Sequence, residues 1–273
     1  MMSAPAIEDL LTLAVRAALA AGREILEVYA GADFGVEAKA DRSPLTIADR
    51  RAQDVICKGL TPAGIPILSE EGRDIPYEER RGWMSFWLVD PLDGTKEFIK
   101  RNGEFTVNIA LIHAGTPVLG VVYAPALDIL YASRESLGAF RIEHPGRDED
   151  PAGRWIVRDG AKLPIERRAG PFRIVASRSH MTAETLDFVE AEKAARGDVE
   201  LVSKGSSLKF CLVAEGAADV YPRFGPTMEW DTAAGHAVAA AAECAVTQMD
   251  GVSPLLYNKE DLHNPWFIVG RAG

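Results

Sequence analysis

Residues 87–98 read Trp87-Leu88-Val89-Asp90-Pro91-Leu92-Asp93-Gly94-Thr95-Lys96-Glu97-Phe98, and no other stretch restricts the chain as strongly. Large apolar residues run as a buried strand and stop at a carboxylate. A proline then bends the backbone, a second carboxylate follows, and Gly94-Thr95 opens a short predicted helix. Two acids on a rigid turn offer oxygen ligands to hard cations such as Mg²⁺, which take carboxylates, carbonyls and waters rather than nitrogen or sulfur. Free N–H groups at the adjoining helix start suit a phosphate. Asp-Gly is also a common turn pair, so Asp90 and Asp93 suit turn caps as well.

The surrounding pattern predicts where this turn sits. Ile7, Leu10, Leu11, Ala14, Ala18, Ala21, Ile25 and Val28 recur at helical spacing, with Gly31 as a stop. An extended stretch over 34–39 and a turn at Asp41-Arg42-Ser43-Pro44 follow. Thr46 and Asp49 form a capping box for a second helix reaching about Leu60. A short strand at 65–68 ends in Ser69-Glu70-Glu71, and a strand at 85–89 ends directly at Asp90, so Glu70 and Asp90 project from neighbouring strand ends. Strands over 105–112 and 118–123 flank Gly115-Thr116-Pro117 as a hairpin, and 130–133 adds an edge strand.

Residues 143–170 turn polar and rich in Pro, Gly and Arg, with a short hairpin expected at Trp155-Ile156-Val157. Beyond them strands near 172–176, 199–202, 218–221, 245–248 and 266–269 alternate with helices near 182–195, 206–215 and 230–242. The alternation predicts a layered α/β (α+β) fold. Its expected organisation is a single catalytic fold over 1–273, with an N-terminal lobe at about 1–142, a connection at about 143–170 and a C-terminal lobe at about 171–273.

Composition excludes some partners. With 40 acidic against 30 basic residues the formal net charge is -10, which argues against binding a nucleic-acid polymer. Metal ions can invert that field locally for a small anionic substrate. No apolar run is long enough for a membrane span. Glu8 and Asp9 stand where a signal peptide needs bases, and Cys57, Cys211 and Cys244 are scattered. A cytoplasmic protein with reduced cysteines is expected, and peripheral association with a membrane face is left open.

Three further segments bear on the acidic turn. Asp49 lies in Ser43-Pro44-Leu45-Thr46-Ile47-Ala48-Asp49, Glu70 follows a strand, and Trp230-Asp231 stands at a helix start. Singly, Asp49 and Asp231 read as helix caps, Glu70 as a solvated loop acid and Trp230 as core. In order, the four segments resemble the inositol monophosphatase family of metal-dependent, lithium-sensitive phosphatases, over nearly the whole chain.

The resemblance implies a layered αβαβα sandwich and two or three Mg²⁺ ions per site, with no organic cofactor. It implies metal ligands at Glu70, Asp90, the Leu92 carbonyl, Asp93 and Asp231. Asp49 and Thr95 would orient and deprotonate the attacking water, and Gly94 and Thr95 would hold the phosphate through their N–H groups. The substrate would also meet Glu70, Leu92, Asp93 and Asp231. Hydrolysis would be in-line, between metal ions roughly 3.5–4 Å apart. The family leaves room for a homodimer.

Residues 95–108, Ala176-Ser177-Arg178-Ser179-His180, Gly205-Ser206-Ser207-Leu208-Lys209-Phe210 and Tyr221-Pro222-Arg223-Phe224 look closest to the family's 3'(2'),5'-bisphosphate nucleotidases. These convert 3'-phosphoadenosine 5'-phosphate to AMP and phosphate in the nucleotide recycling of sulfur assimilation. Lys209 and Arg223 would then hold the retained phosphate, with Ser206 and His180 on ribose or base. Surface or ion-pair roles remain equally open for these four. Inositol monophosphate or a sugar bisphosphate is the alternative substrate, and a noncatalytic metal-binding regulatory protein is the alternative from another class.

Overall fold

The computed structural model describes residues 4–31, 34–38, 44–145, 153–165, 170–176 and 181–271. Helix α1 (Ala4–Ala30) buries Leu10, Leu11, Ala14, Ala18, Ala21 and Ile25 along one stripe. Strands β1 (Glu37–Ala38) and β2 (Pro44–Leu45) pair briefly and lead into α2 (Ile47–Leu60), which packs beside α1 through Ala48, Ala52, Ile56 and Leu60.

The two helices cover one face of a seven-stranded sheet in chain order. Its strands are β3 (Ile67–Ser69), β4 (Ser85–Asp93), β5 (Thr106–His113), β6 (Thr116–Ala124), β7 (Ile129–Arg134), β8 (Gly138–Glu143) and β9 (Ala161–Lys162). The short helices α3 (Tyr77–Arg80) and α4 (Thr95–Ile99) flank β4, and α5 (Trp155–Asp159) precedes β9. Trp87, Val89, Ile109, Leu111, Val121 and Tyr123 face α1 and α2, whereas Phe86, Leu88, Ala110, Ile112 and Val122 face the other way. Both faces are covered, so the strands read as continuous apolar runs although side chains alternate sides.

A five-stranded sheet follows, from β10 (Phe172–Ala176), β11 (Val199–Ser203), β12 (Val220–Arg223), β13 (Cys244–Gln248) and β14 (Phe267–Arg271), in the order β11-β10-β12-β14-β13. Helix α6 (Ala183–Arg196) packs Phe188 and Val189 on its outer face against Ile174 and Val220. Helices α7 (Leu208–Glu215) and α8 (Glu229–Ala241) lie between the sheets, sharing a core with Phe86, Leu88 and Val122 on one side and Tyr221, Phe267 and Val269 on the other. The layers therefore stack αβαβα. Among the described residues no helix is long and apolar enough to cross a membrane.

Small residues make the middle layer thin enough. A Cβ on Gly120 of β6 would lie 2.5 Å from the Ala234 carbonyl oxygen and 2.6 Å from the Ala237 Cβ of α8. Gly120→Ala should therefore overpack this contact and cost about 1–3 kcal/mol. The measurement is a urea midpoint, expected to fall with the slope unchanged. An unaltered midpoint would mean that α8 yields without cost.

Several sequence expectations are corrected. Trp155-Ile156-Val157 opens α5 rather than a hairpin, because the Arg158 N–H closes a helical turn onto the Arg154 carbonyl at 3.1 Å, with Trp155 and Ile156 buried and Val157 exposed. β7 is not an edge, since β8 and β9 extend the sheet beyond it. The β5–β6 turn is tighter than expected, and Thr116 and Pro117 already belong to β6, at a register irregularity that tolerates the missing proline N–H. β4 continues past Asp90 to Asp93 through another irregularity. Thr46 and Asp49 form the expected capping box. Residues 39–43 and 177–180, with the Asp41-Arg42-Ser43 turn and His180, lie outside the described residues.

Candidate active site

β3 and β4 run parallel with Ser69 opposite Val89, and the Glu70 N–H donates to the Val89 carbonyl at 3.1 Å. This pairing sets Glu70 beside Asp90. The first turn of α8 brings in Asp231, and ligand oxygens of Glu70, Asp90 and Asp231 lie within 4.8 Å of one another. Asp90 is 1% exposed, and its Oδ1 accepts from the Leu92 N–H at 3.0 Å. Asp231 caps α8, its Oδ2 accepting from the Met228 N–H at 2.8 Å. The cap occupies one of two oxygens, so capping and ligation are compatible.

Asp93 sits at the edge of this triad, held by the second sheet's connections. Ser207 Oγ lies 3.2 Å from Asp93 Oδ2 and 2.7 Å from the Asp231 carbonyl oxygen. Asn108 Nδ2 donates to Ser207 Oγ at 3.0 Å and approaches Asp93 Oδ2 at 3.4 Å. Gly94 has φ +87°, a left-handed conformation that glycine adopts without strain, and a side chain there would strike the Ser206 hydroxyl. Ser206 Oγ instead lies 2.9 Å from the Asp93 carbonyl and 2.8 Å from the Glu104 carbonyl. Its hydroxyl donates to backbone, which leaves its oxygen able to accept at the cavity wall.

The Thr46 N–H and Oγ1 donate to Asp49 Oδ2 at 2.7 and 2.6 Å. The other oxygen, Oδ1, lies 3.4 Å from Thr95 Oγ1, which is also 3.3 Å from the Leu92 carbonyl oxygen. Asp49 is 1% exposed and so faces the turn rather than solvent.

Charge is unbalanced here. Burial holds the Asp90 carboxyl well above the usual carboxylate range, and the neighbouring Glu70, Asp93 and Asp231 push it further. Burial first and Asp93 second push Asp231 up to about 8. Burial also raises Asp93, opposed by Lys209 and by hydrogen bonds from Ser207 and Asn108. Burial lowers the Lys209 ammonium to about 8, against the pull of Asp93. A converging all-oxygen donor set whose members resist joint ionisation fits a hard divalent cation.

Beside the acids opens a cavity of about 130 Å³, whose walls include Asp93, Glu97, Lys209, Tyr221, Arg223 and Asp231. Lys209 Nζ donates to the Ser206 carbonyl at 2.7 Å and sits 5.7 Å from the Tyr221 ring centre. Arg223 Nη2 donates to the Pro226 carbonyl at 3.0 Å. Both expected cations therefore reach the same cavity as the acids.

Sequence reasoning missed Ser207, Asn108, Glu97 and Glu229. Asn108 pairs with Asp90 across β4 and β5, so hairpin register could have found it. Glu229 is fully buried before Trp230-Asp231; Lys259 Nζ at 2.6 Å and the Asn258 and Lys259 N–H groups bond to it and anchor the start of α8.

The fold and the acid-lined site are those of a metal-dependent phosphatase, and the chain belongs to the inositol monophosphatase family, whose sequence profile matches residues 6–266. It is 50% identical over 256 residues to the 3'(2'),5'-bisphosphate nucleotidase CysQ of Escherichia coli (strain K12), covering 91% of this chain and 94% of that protein. The crystal structure of CysQ from Bacteroides thetaiotaomicron, a bacterial member of the family, matches with a TM-score of 0.90 and 51% identity over 97% of each chain. The extragenic suppressor protein suhB from Bartonella henselae matches with a TM-score of 0.72 and 26% identity over 95% of this chain and 92% of that one.

Proposed function

We propose that this protein is a Mg²⁺-dependent 3'(2'),5'-bisphosphate nucleotidase that hydrolyses 3'-phosphoadenosine 5'-phosphate to AMP and phosphate. The observation that carries the reading is the meeting of Asp93 and Asp231 with Lys209 and Arg223 around one cavity, beside the Glu70–Asp90–Asp231 triad. Relatives named as such nucleotidases, at half-identical sequence over nearly full length, support it. In this reading the residues of 1–142 hold most of the acids and those of 171–273 the two cations, as separate lobes of one catalytic fold.

Each residue's part follows from its surroundings. Glu70, Asp90, Asp93, Asp231 and the Leu92 carbonyl would hold two or three Mg²⁺ ions, which supply positive charge where the phosphoryl oxygens gain negative charge. Asp49 Oδ1 and Thr95 Oγ1 form a pair that can orient a water and receive its proton, since Asp49's other oxygen is fixed by Thr46. Gly94 and Thr95 present N–H groups to the phosphate. Lys209 and Arg223 give the retained phosphate charge-assisted contacts that inositol monophosphate lacks. A cytoplasmic setting, with Cys57, Cys211 and Cys244 reduced, belongs to the same reading.

A substrate panel tests it. With Mg²⁺, kcat/KM for 3'-phosphoadenosine 5'-phosphate should far exceed that for inositol 1-phosphate and fructose 1,6-bisphosphate. Lys209→Ala combined with Arg223→Ala should erode the preference and spare simpler esters. A panel won by the inositol ester would overturn the nucleotidase reading and leave the phosphatase chemistry standing.

A further inference from the structure

Glu97 has no part in the chemistry described so far, yet it forms a wall of the same cavity as Asp93, Asp231, Lys209 and Arg223. It stands on α4, one turn beyond Gly94. Gly205 leaves room for it, since a Cβ there would lie 3.0 Å from Glu97 Cγ. Nearby Glu104 is bonded to Lys204 Nζ and to the Gly205 N–H. Among the described residues no side chain forms a hydrogen bond or ion pair with the Glu97 carboxylate, although its field is felt by Lys209.

A fixed carboxylate repels phosphate, so the group of the substrate that meets it must be a neutral donor. The cavity already suits an anion, with Lys209 and Arg223 on its walls beside Asp93 and Asp231 of the acid site. Between two phosphates on one ribose, the neutral donor is the free hydroxyl on the carbon next to the scissile ester. We infer that Glu97 accepts a hydrogen bond from this sugar hydroxyl and so selects ribonucleotides over their deoxy counterparts. The inference rests on the nucleotide reading proposed above.

The test is a substrate-by-variant cycle. kcat/KM is measured for 3'-phosphoadenosine 5'-phosphate and its 2'-deoxy analogue with wild type, E97A and E97Q, with melting temperatures to confirm folding. Wild type should favour the ribonucleotide by about ten-fold or more, as expected for a hydroxyl donating to a charged acceptor. E97A should bring the ribonucleotide down to the level of the analogue while changing the analogue by less than about two-fold, because a site made for that bond gains little once it is gone. E97Q keeps an acceptor oxygen without the charge and should retain part of the preference. It also carries the comparison if E97A fails to fold. Equal losses on both nucleotides, or a preference unchanged in the variants, would overturn the role of Glu97 and leave the nucleotidase reading intact. Turnover of 4-nitrophenyl phosphate with neither nucleotide hydrolysed would overturn both.

Discussion

Asp90→Asn should abolish phosphate release at ordinary Mg²⁺ while the fold survives. The loss should exceed the roughly 10–100-fold that follows removal of a residue standing behind a metal ligand. The amide keeps the shape and can still accept from the Leu92 N–H. It removes the one carboxylate of the triad that is fully buried and faces all the other acids. Turnover across a Mg²⁺ titration is the measurement, and near-normal turnover would sink the ligand assignment.

The same variant should be the more stable protein in metal-free alkaline buffer. Asp90 and Asp231 have folded values above their unfolded ones, so the folded chain binds more protons and wild-type stability falls as pH rises from about 4 toward 8. Asn at position 90 has no charge to gain and relieves its neighbours. Melting temperatures in chelator at pH 6 and 8.5 should therefore diverge for the wild type and converge for the variant. Added Mg²⁺ should reverse the order at pH 8.5, because only the wild type then gains the ion's binding energy.

Asp49→Asn should act on rate instead. If Oδ1 receives the proton of the attacking water, kcat falls by roughly 10²–10⁴-fold while substrate and metal still bind. A residue that only caps α2 would instead cost about 1 kcal/mol of stability and leave kcat alone. Thr46 already satisfies the capping demand on Oδ2, so the separation is clean. A variant with unaltered kcat and a lowered melting temperature would reduce Asp49 to a cap.

Much of this was legible in the chain because the determinants are local. The α1 stripe, the Thr46–Asp49 box and the strands that end at Glu70 and Asp90 each depend on residues within a few positions of one another. Trp155-Ile156-Val157 misled because β-branched and aromatic residues favour strands, while burial of two adjacent side chains is decided by the sheet they pack on. β8 was invisible for a similar reason. Gly138-Ala139-Phe140-Arg141-Ile142 has a weak pattern of its own, and pairing with β7 makes it a strand. At the site, acids were readable from residue type and order. Ser207 was not, because its importance arises only when α7 is laid against β5. Ser206 shows the converse, a motif residue whose hydroxyl goes to the backbone carbonyls of Asp93 and Glu104.

The meeting of Glu70 and Asp90 with Asp231 has a consequence for how the molecule is made. The first two leave the ribosome long before α8 exists, and no local element can bring the third to them. The triad closes only when the middle helices are clamped between both sheets, so a divalent ion can grip the finished molecule and has little hold on any shorter intermediate. Ion concentration would then act on newly made chains as a late checkpoint, deepening the completed state by mass action and leaving earlier collapse untouched.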